Sequence, residues 1–182
     1  DIVSPDAVLA THEHSDHVHG PTQGPLVAGG AAYHAPDDSL AVVEEEGWTD
    51  AHGAPEAAFH EVSEGDSFAV GSLTVHVEPA HDPDATHPVS YVVQHEAGTF
   101  FHGGDARPSE AFERVGHRHD IGLGVLAFGS SGRLPDRETG EPVYKRWYSN
   151  PNEVAEAADQ LGLDRLLPSH WDMWKGLTAD PR

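Results

Sequence analysis

Short apolar runs bounded by glycine, proline and aspartate alternate with polar stretches along this chain. Runs of this kind, rich in β-branched and aromatic residues, predict strands. They fall over 6–11, 58–62, 67–70, 73–77, 89–95, 99–102, 122–128 and 165–168. Gly71-Ser72 and Glu96-Ala97-Gly98 read as hairpin turns between neighbouring runs. Helical spacing is expected over 36–46 and 151–161. The second is fully punctuated: Asn150 as N-cap, Pro151 in the first turn, Glu153 to close a capping box, Gly162 as the stop. Its Val154, Ala155, Ala158 and Leu161 share one face. The stretch 133–148 is polar, carries Pro135, Gly140 and Pro142, and reads as a long loop that could wall a site.

Hairpin-linked strands separated by single helices predict an α+β architecture of two stacked sheets with helices outside, a four-layer αββα sandwich. A chain of 182 residues is long enough to bury one sizeable core.

Composition narrows the partners. The formal net charge is -21, and Lys145 and Lys175 are the only lysines. With no basic stripe to neutralise phosphates, nucleic acid is not an expected partner. The acidic excess is spread over the chain, the pattern of proteins from salt-loving organisms with high internal salt. Cysteine is absent, which removes disulfides, thiolate ligands and thiol nucleophiles together. No apolar run is long enough for a membrane span, and the cytoplasm is the default compartment.

Chemistry concentrates in Thr11-His12-Glu13-His14-Ser15-Asp16-His17, directly after the apolar 7–10. Residues two apart on a strand point the same way, so His12 and His14 can reach one ion together. Asp16 and His17 lie past the strand end, where the chain can aim them at a second ion. Neutral imidazole and carboxylate suit zinc and harder divalent ions alike. Neither a Gly-x-Ser-x-Gly elbow nor a phosphate-cradling glycine loop is present, and Ser130-Ser131 has no evident base.

The order His-x-His-x-Asp-His resembles the signature of the metallo-β-lactamase fold superfamily, and further matches follow in that family's order. His81 comes after a strand-like run, Asp105 after Phe101-His102-Gly103-Gly104, and His170 after 165–169. Within the superfamily, Phe101-His102-Gly103-Gly104-Asp105, the 127–132 stretch, the helix after Asn150 and Pro168-Ser169-His170-Trp171-Asp172-Met173-Trp174 look most like the L-ascorbate-6-phosphate lactonase group. The resemblance implies one metallo-β-lactamase-like domain over 1–182, lacking strands that relatives carry before the histidine motif and sequence they carry after the last histidine.

It also implies a site. His12, His14 and His81 would hold one divalent ion, Asp16, His17 and His170 a second, with Asp105 bridging them. Two cations about 3.5–4 Å apart share a water and supply a hydroxide near neutral pH. Zn²⁺ follows from general ligand chemistry and Mn²⁺ from the lactonase resemblance. Asp16 could also steer the nucleophile, which makes Asp16 and Asp105 the catalytic carboxylates. Arg133, Lys145 and Arg146 are the cations available to bind a phosphorylated substrate. His87 could orient a ligand from outside, and His19 could line the pocket; His102 is expected to pack beside the glycine turn, and Trp171 and Trp174 in the core. The reading is a binuclear hydrolase of a lactone or related ester on a small molecule, including a sugar-acid phosphate, with no membrane partner and with homo-oligomers permitted. A small-substrate phosphodiesterase and a non-catalytic metal-binding remnant of the fold are the alternatives.

Overall fold

The computed structural model describes residues 4–129, 132–136, 139–146, 148–173 and 180. Ser130, Ser131, Trp174 and Lys175 lie outside the described residues.

The chain opens with β1 (Ala7–Leu9), α1 (Gly20–Ala28), β2 (Ala32–Ala35), α2 (Asp37–Glu45) and α3 (Trp48–His52). A 3₁₀ turn, Glu56–Ala58, leads into β3 (Phe59–Glu61). β1, β2 and β3 form a parallel three-stranded sheet in that order. Next come β4 (Ser67–Val70), β5 (Leu73–Pro79), β6 (Val89–His95) and β7 (Gly98–His102), an antiparallel meander. After α4 (Glu110–Arg118), β8 (Leu123–Ala127) pairs parallel with β7. A hairpin of β9 (Gly132–Pro135) and β10 (Pro142–Lys145) precedes α5 (Pro151–Leu161). Finally β11 (Leu166–Ser169) adds parallel to β8, completing a six-stranded sheet ordered β11-β8-β7-β6-β5-β4.

Three apolar clusters separate four layers. Helices α1 to α3 bury Val27, Val43 and Trp48 against Tyr33 of the first sheet. Val75, Val77 and Tyr91 of the second sheet pack with Leu9 of the first. On the far side, Phe112 and Val115 of α4 and Val154 and Leu161 of α5 cover Val92, Phe101 and Leu126. Alternation along β6 makes this possible: Tyr91 enters the middle cluster and Val92 the outer one. Each large side chain so buried stabilises by about 1.5–3 kcal/mol. The Tyr91 hydroxyl also donates to the Ala10 carbonyl at 2.7 Å, joining the two sheets beside the histidine motif. This is the αββα arrangement expected.

Several elements differ from expectation. The polar stretch expected as a loop forms the β9–β10 hairpin, with Arg133 opposite Tyr144. Cross-strand pairing satisfies its backbone without any apolar alternation. Helix α1 reads poorly because it carries Gly20, Gly24, Pro21 and Pro25. Tertiary packing explains its glycines: a Cβ on Gly24 would stand 2.3 Å from Cδ2 of His52 in α3. Helix α4 hides behind its charges, though Ser109 Oγ accepts from Ala111 N at 3.3 Å as an N-cap. The α5 capping box and its Gly162 stop, in left-handed conformation, are as expected.

Candidate metal centre

The site begins where β1 ends. Ala10 N donates to His34 O at 3.0 Å and Val89 N to Thr11 O at 2.9 Å, so the strand is held until the motif starts. The chain then winds through one turn, with His17 N and Val18 N both donating to His14 O at 2.8 Å. That turn folds His17 back onto His12, their ring centres 4.0 Å apart. The six-stranded sheet supplies the rest: Asp82 follows β5, Asp105 follows β7, and His170 follows β11. Gly104, with φ of +57°, makes the turn into Asp105. His170 itself sits at φ +62°, the one described residue other than glycine in that region. Left-handed backbone at a histidine costs energy and clusters at functional positions.

Two groups result. His12, His14, Asp82 and Asp105 form one; Asp16, His17, Asp105 and His170 form the other. Within each group the ligand atoms all lie within 4.8 Å of one another. In the first, His12 Nε2 lies 2.9 Å from His14 Nδ1, 3.8 Å from Asp82 Oδ2 and 3.9 Å from Asp105 Oδ2. In the second, Asp105 Oδ1 lies 3.3 Å from His17 Nε2 and 3.2 Å from His170 Nε2, and Asp16 Oδ2 lies 3.6 and 3.7 Å from the same nitrogens. Ligand atoms about 2.1 Å from a tetrahedral ion stand roughly 3.4 Å apart, so both groups have the spacing a divalent cation needs. Asp105 turns one oxygen to each.

The buried polar atoms test the fit. His17 Nε2, Asp82 Oδ2, Asp105 Oδ1 and His170 Nε2 are all buried without a hydrogen-bond partner. Orphaned atoms of this kind cost about 1–3 kcal/mol each, and more when charged. Here they converge on two points, and a cation at each would satisfy them. Outer contacts aim the rings accordingly. Thr11 Oγ1 lies 3.0 Å from His12 Nδ1 and 3.3 Å from His17 Nδ1. His14 Nε2 donates to Asp84 O at 3.1 Å, turning Nδ1 inward. Asp84 N donates to Asp82 Oδ1 at 3.1 Å, leaving Oδ2 for the site.

Electrostatics favour the neutral ring at His12 and the carboxylate at Asp16 and Asp105. Burial lowers the His12 pKa to about 4, with His17 pushing the same way, so the ring is neutral at physiological pH. Burial raises the Asp16 carboxyl, but the His170 and His17 imidazoles outweigh it and hold it at about 2. Asp105 is likewise pushed up by burial and pulled lower, on balance, by His17, His170 and His12. Asp82 moves upward, through burial and the Asp105 charge.

Six of the seven expected ligands come together; His81 does not. Its side chain is exposed, while its carbonyl accepts from Arg107 N at 2.8 Å. The turn closed by Asp82 Oδ1 points the next side chain inward instead, so Asp82 rather than His81 stands with His12, His14 and Asp105. The signal for it was Asp82-Pro83-Asp84, a sequence suited to an aspartate side chain bonding backbone two residues on. Arg133 is exposed on β9, and Lys145 lies on β10. Arg146 donates to Glu153 of the α5 capping box, which commits it to the helix start. Arg107, which sequence reasoning passed over, reaches Arg146 O at 3.2 Å and stands 3.9 Å from Asp84 Oδ2. His87 bonds Asp37 and is paired with Asp38 rather than with a ligand, and His19 precedes α1 with Nδ1 2.8 Å from Thr22 Oγ1. His102 accepts from Gly104 N at 3.1 Å, beside the glycine turn as expected. Trp171 is 41% exposed rather than packed in the core.

Residues 1–171 match the family model of the beta-lactamase superfamily domain. The chain is 25% identical to the probable L-ascorbate-6-phosphate lactonase UlaG of Escherichia fergusonii, over 97% of this chain and 52% of the relative. It thus spans about half the length of the curated relatives it matches. Among solved structures, the fold is similar to Igni18, a metallo hydrolase from the archaeon Ignicoccus hospitalis, with a TM-score of 0.71 and 16% identity over 97% of this chain and 68% of that one. It is also similar to CmlA, a diiron β-hydroxylase from Streptomyces venezuelae, with a TM-score of 0.67 and 16% identity over 93% of this chain and 37% of that one.

Proposed function

Because the chain belongs to the beta-lactamase superfamily domain family, we propose that it is a binuclear metal-dependent hydrolase that opens a lactone or related ester of a small molecule. The observation that carries the reading is the division of the Asp105 carboxylate between two ligand groups, with buried orphan atoms in both. His12, His14, Asp82 and Asp105 would hold one ion, and Asp16, His17, Asp105 and His170 the other. The donors are nitrogen and oxygen throughout, which suits Zn²⁺ and Mn²⁺. Bound there, the two cations would bring a shared water toward ionisation at neutral pH and polarise the attacked carbonyl.

The chain's own residues supply the framework for that chemistry. Three aspartates place negative charge around the pair, so two divalent ions leave the centre with a small positive excess. That excess favours an oxyanion developing at the attacked carbon. Asp16, held at about 2, is a carboxylate at working pH and serves as a ligand and electrostatic partner. The lactone assignment is supported by the relatives named probable L-ascorbate-6-phosphate lactonase. A sugar-acid phosphate is the substrate class that this likeness suggests.

The test is a loaded-protein panel. Metal-free protein is titrated with Zn²⁺ and with Mn²⁺, and the stoichiometry is read by elemental analysis. The loaded forms are then offered lactones, carboxylic esters and phosphodiesters. Two ions per chain and lactone or ester turnover support the reading. Turnover confined to phosphodiesters redirects it, and two ions with no turnover on any class overturn it.

A further inference from the structure

The geometry points to Thr11 as the positioning residue that couples the two ion sites, a role that rests on the binuclear reading above. Thr11 is 4% exposed, and its hydroxyl is the shared neighbour of one imidazole from each group: His12 Nδ1 at 3.0 Å and His17 Nδ1 at 3.3 Å. A neutral imidazole carries one hydrogen. For His12 and His17 each to present a bare Nε2 to a cation, each must carry that hydrogen on Nδ1. A hydroxyl oxygen has two lone pairs and can accept from both rings at once. Thr11 therefore fixes the ligating tautomer on both sides with a single oxygen.

The same side chain also supports the bridge. A Cβ on Gly104 would stand 2.7 Å from Thr11 Oγ1 and 2.9 Å from Thr11 Cβ, so the turn that delivers Asp105 rests directly on Thr11. The Thr11 carbonyl accepts from Val89 N at 2.9 Å, which fixes the residue to the start of β6. One buried threonine thus meets a ligand of the first ion, a ligand of the second, and the turn carrying the carboxylate common to both. Loss of the hydroxyl should weaken the two sites together rather than one alone.

The experiment compares Thr11→Val, which keeps the shape and removes the hydroxyl, with Thr11→Ser, which keeps the hydroxyl. Zn²⁺ affinity is measured by competition with a chromogenic chelator. Histidine tautomers are read by long-range nitrogen–proton NMR on the zinc-loaded protein. Expected are two zinc ions in the wild type, hydrogens on Nδ1 of His12 and His17, and both affinities weaker by about 10–100-fold in Thr11→Val. Thr11→Ser should stay within about threefold of wild type, a far smaller loss than an outer hydrogen-bond partner costs. Unchanged zinc affinity in Thr11→Val, equal losses in the two variants, or weakening of one site only would each overturn the inference. Should Thr11→Val fail to fold, the wild-type tautomers decide: a hydrogen on Nε2 of either ring refutes the role. Wild-type protein that takes up no zinc brings down the binuclear reading and this inference together, whereas two zinc ions with the wrong tautomers bring down this inference alone.

Discussion

Asp105 Oδ1 stands 3.2 Å from His170 Nε2, while its other oxygen faces His12 Nε2 at 3.9 Å. One carboxylate therefore faces both candidate ligand groups, one holding His12 and His14 and the other His17 and His170. Asp105→Ala should lower the occupancy of both sites and reduce turnover by more than the roughly 10–100-fold that an outer partner costs. Elemental analysis after dialysis is the measurement. A variant that keeps two tightly held ions would remove the bridging role.

Neighbours in sequence should behave differently at the turn after β5. Asp82→Ala removes an inward oxygen of the first group and should weaken one ion site. His81→Ala removes an exposed ring and should leave metal content and turnover within about twofold of wild type, as surface substitutions usually do. Equal losses from the two variants would restore His81 to the site.

His34 offers a pH test away from the candidate metal centre. Its ring stacks on Phe68 at 4.0 Å and beside His60 at 4.8 Å, between the two sheets. Burial lowers its pKa to about 4, and His60 adds to the effect. Free histidine titrates near 6.5. Between those values the unfolded chain takes up a proton that the folded chain resists, so stability falls as pH drops from 7 toward 4. His34→Phe keeps the stack and removes the titration. Its melting temperature should fall less between pH 7 and pH 5 than that of the wild type; identical falls would exclude His34 as a contributor.

The charge of -21 makes a prediction about salt. Self-repulsion at this density is relieved as the screening length shrinks, from about 10 Å at 0.1 M to about 3 Å at 1 M. Thermal stability should rise markedly from dilute buffer to molar salt, as the salt-loving reading requires. Equal melting temperatures across that range would reject it.

Sequence pattern reached the second sheet and α5 more fully than the first layer of helices. Strands 67–70 and 89–95 are bounded by glycine, proline and turn dipeptides, and the structure repeats those limits. α5 announces itself through a complete cap. β2 and α3 give no such local signal, and α1 carries contrary ones, because its glycines answer to His52 and Trp48 in a different segment. The site divides the same way. The opening motif was legible because its ligands are contiguous. Asp82 was not, because which of two adjacent ligand-type residues faces inward depends on a turn hydrogen bond, and Arg107 was hidden because Arg146 O and the Asp84 carboxylate, which it approaches, are distant in sequence.

The opening motif hangs from the three-stranded sheet, whereas Asp82, Asp105 and His170 hang from the six-stranded one. A cation gripped by both parties acts as a rivet through the seam that Tyr91 and Ala10 already stitch with one hydrogen bond. Chelation would then do more than silence chemistry. It would unfasten the two halves of the molecule from each other, and heat should separate them sooner.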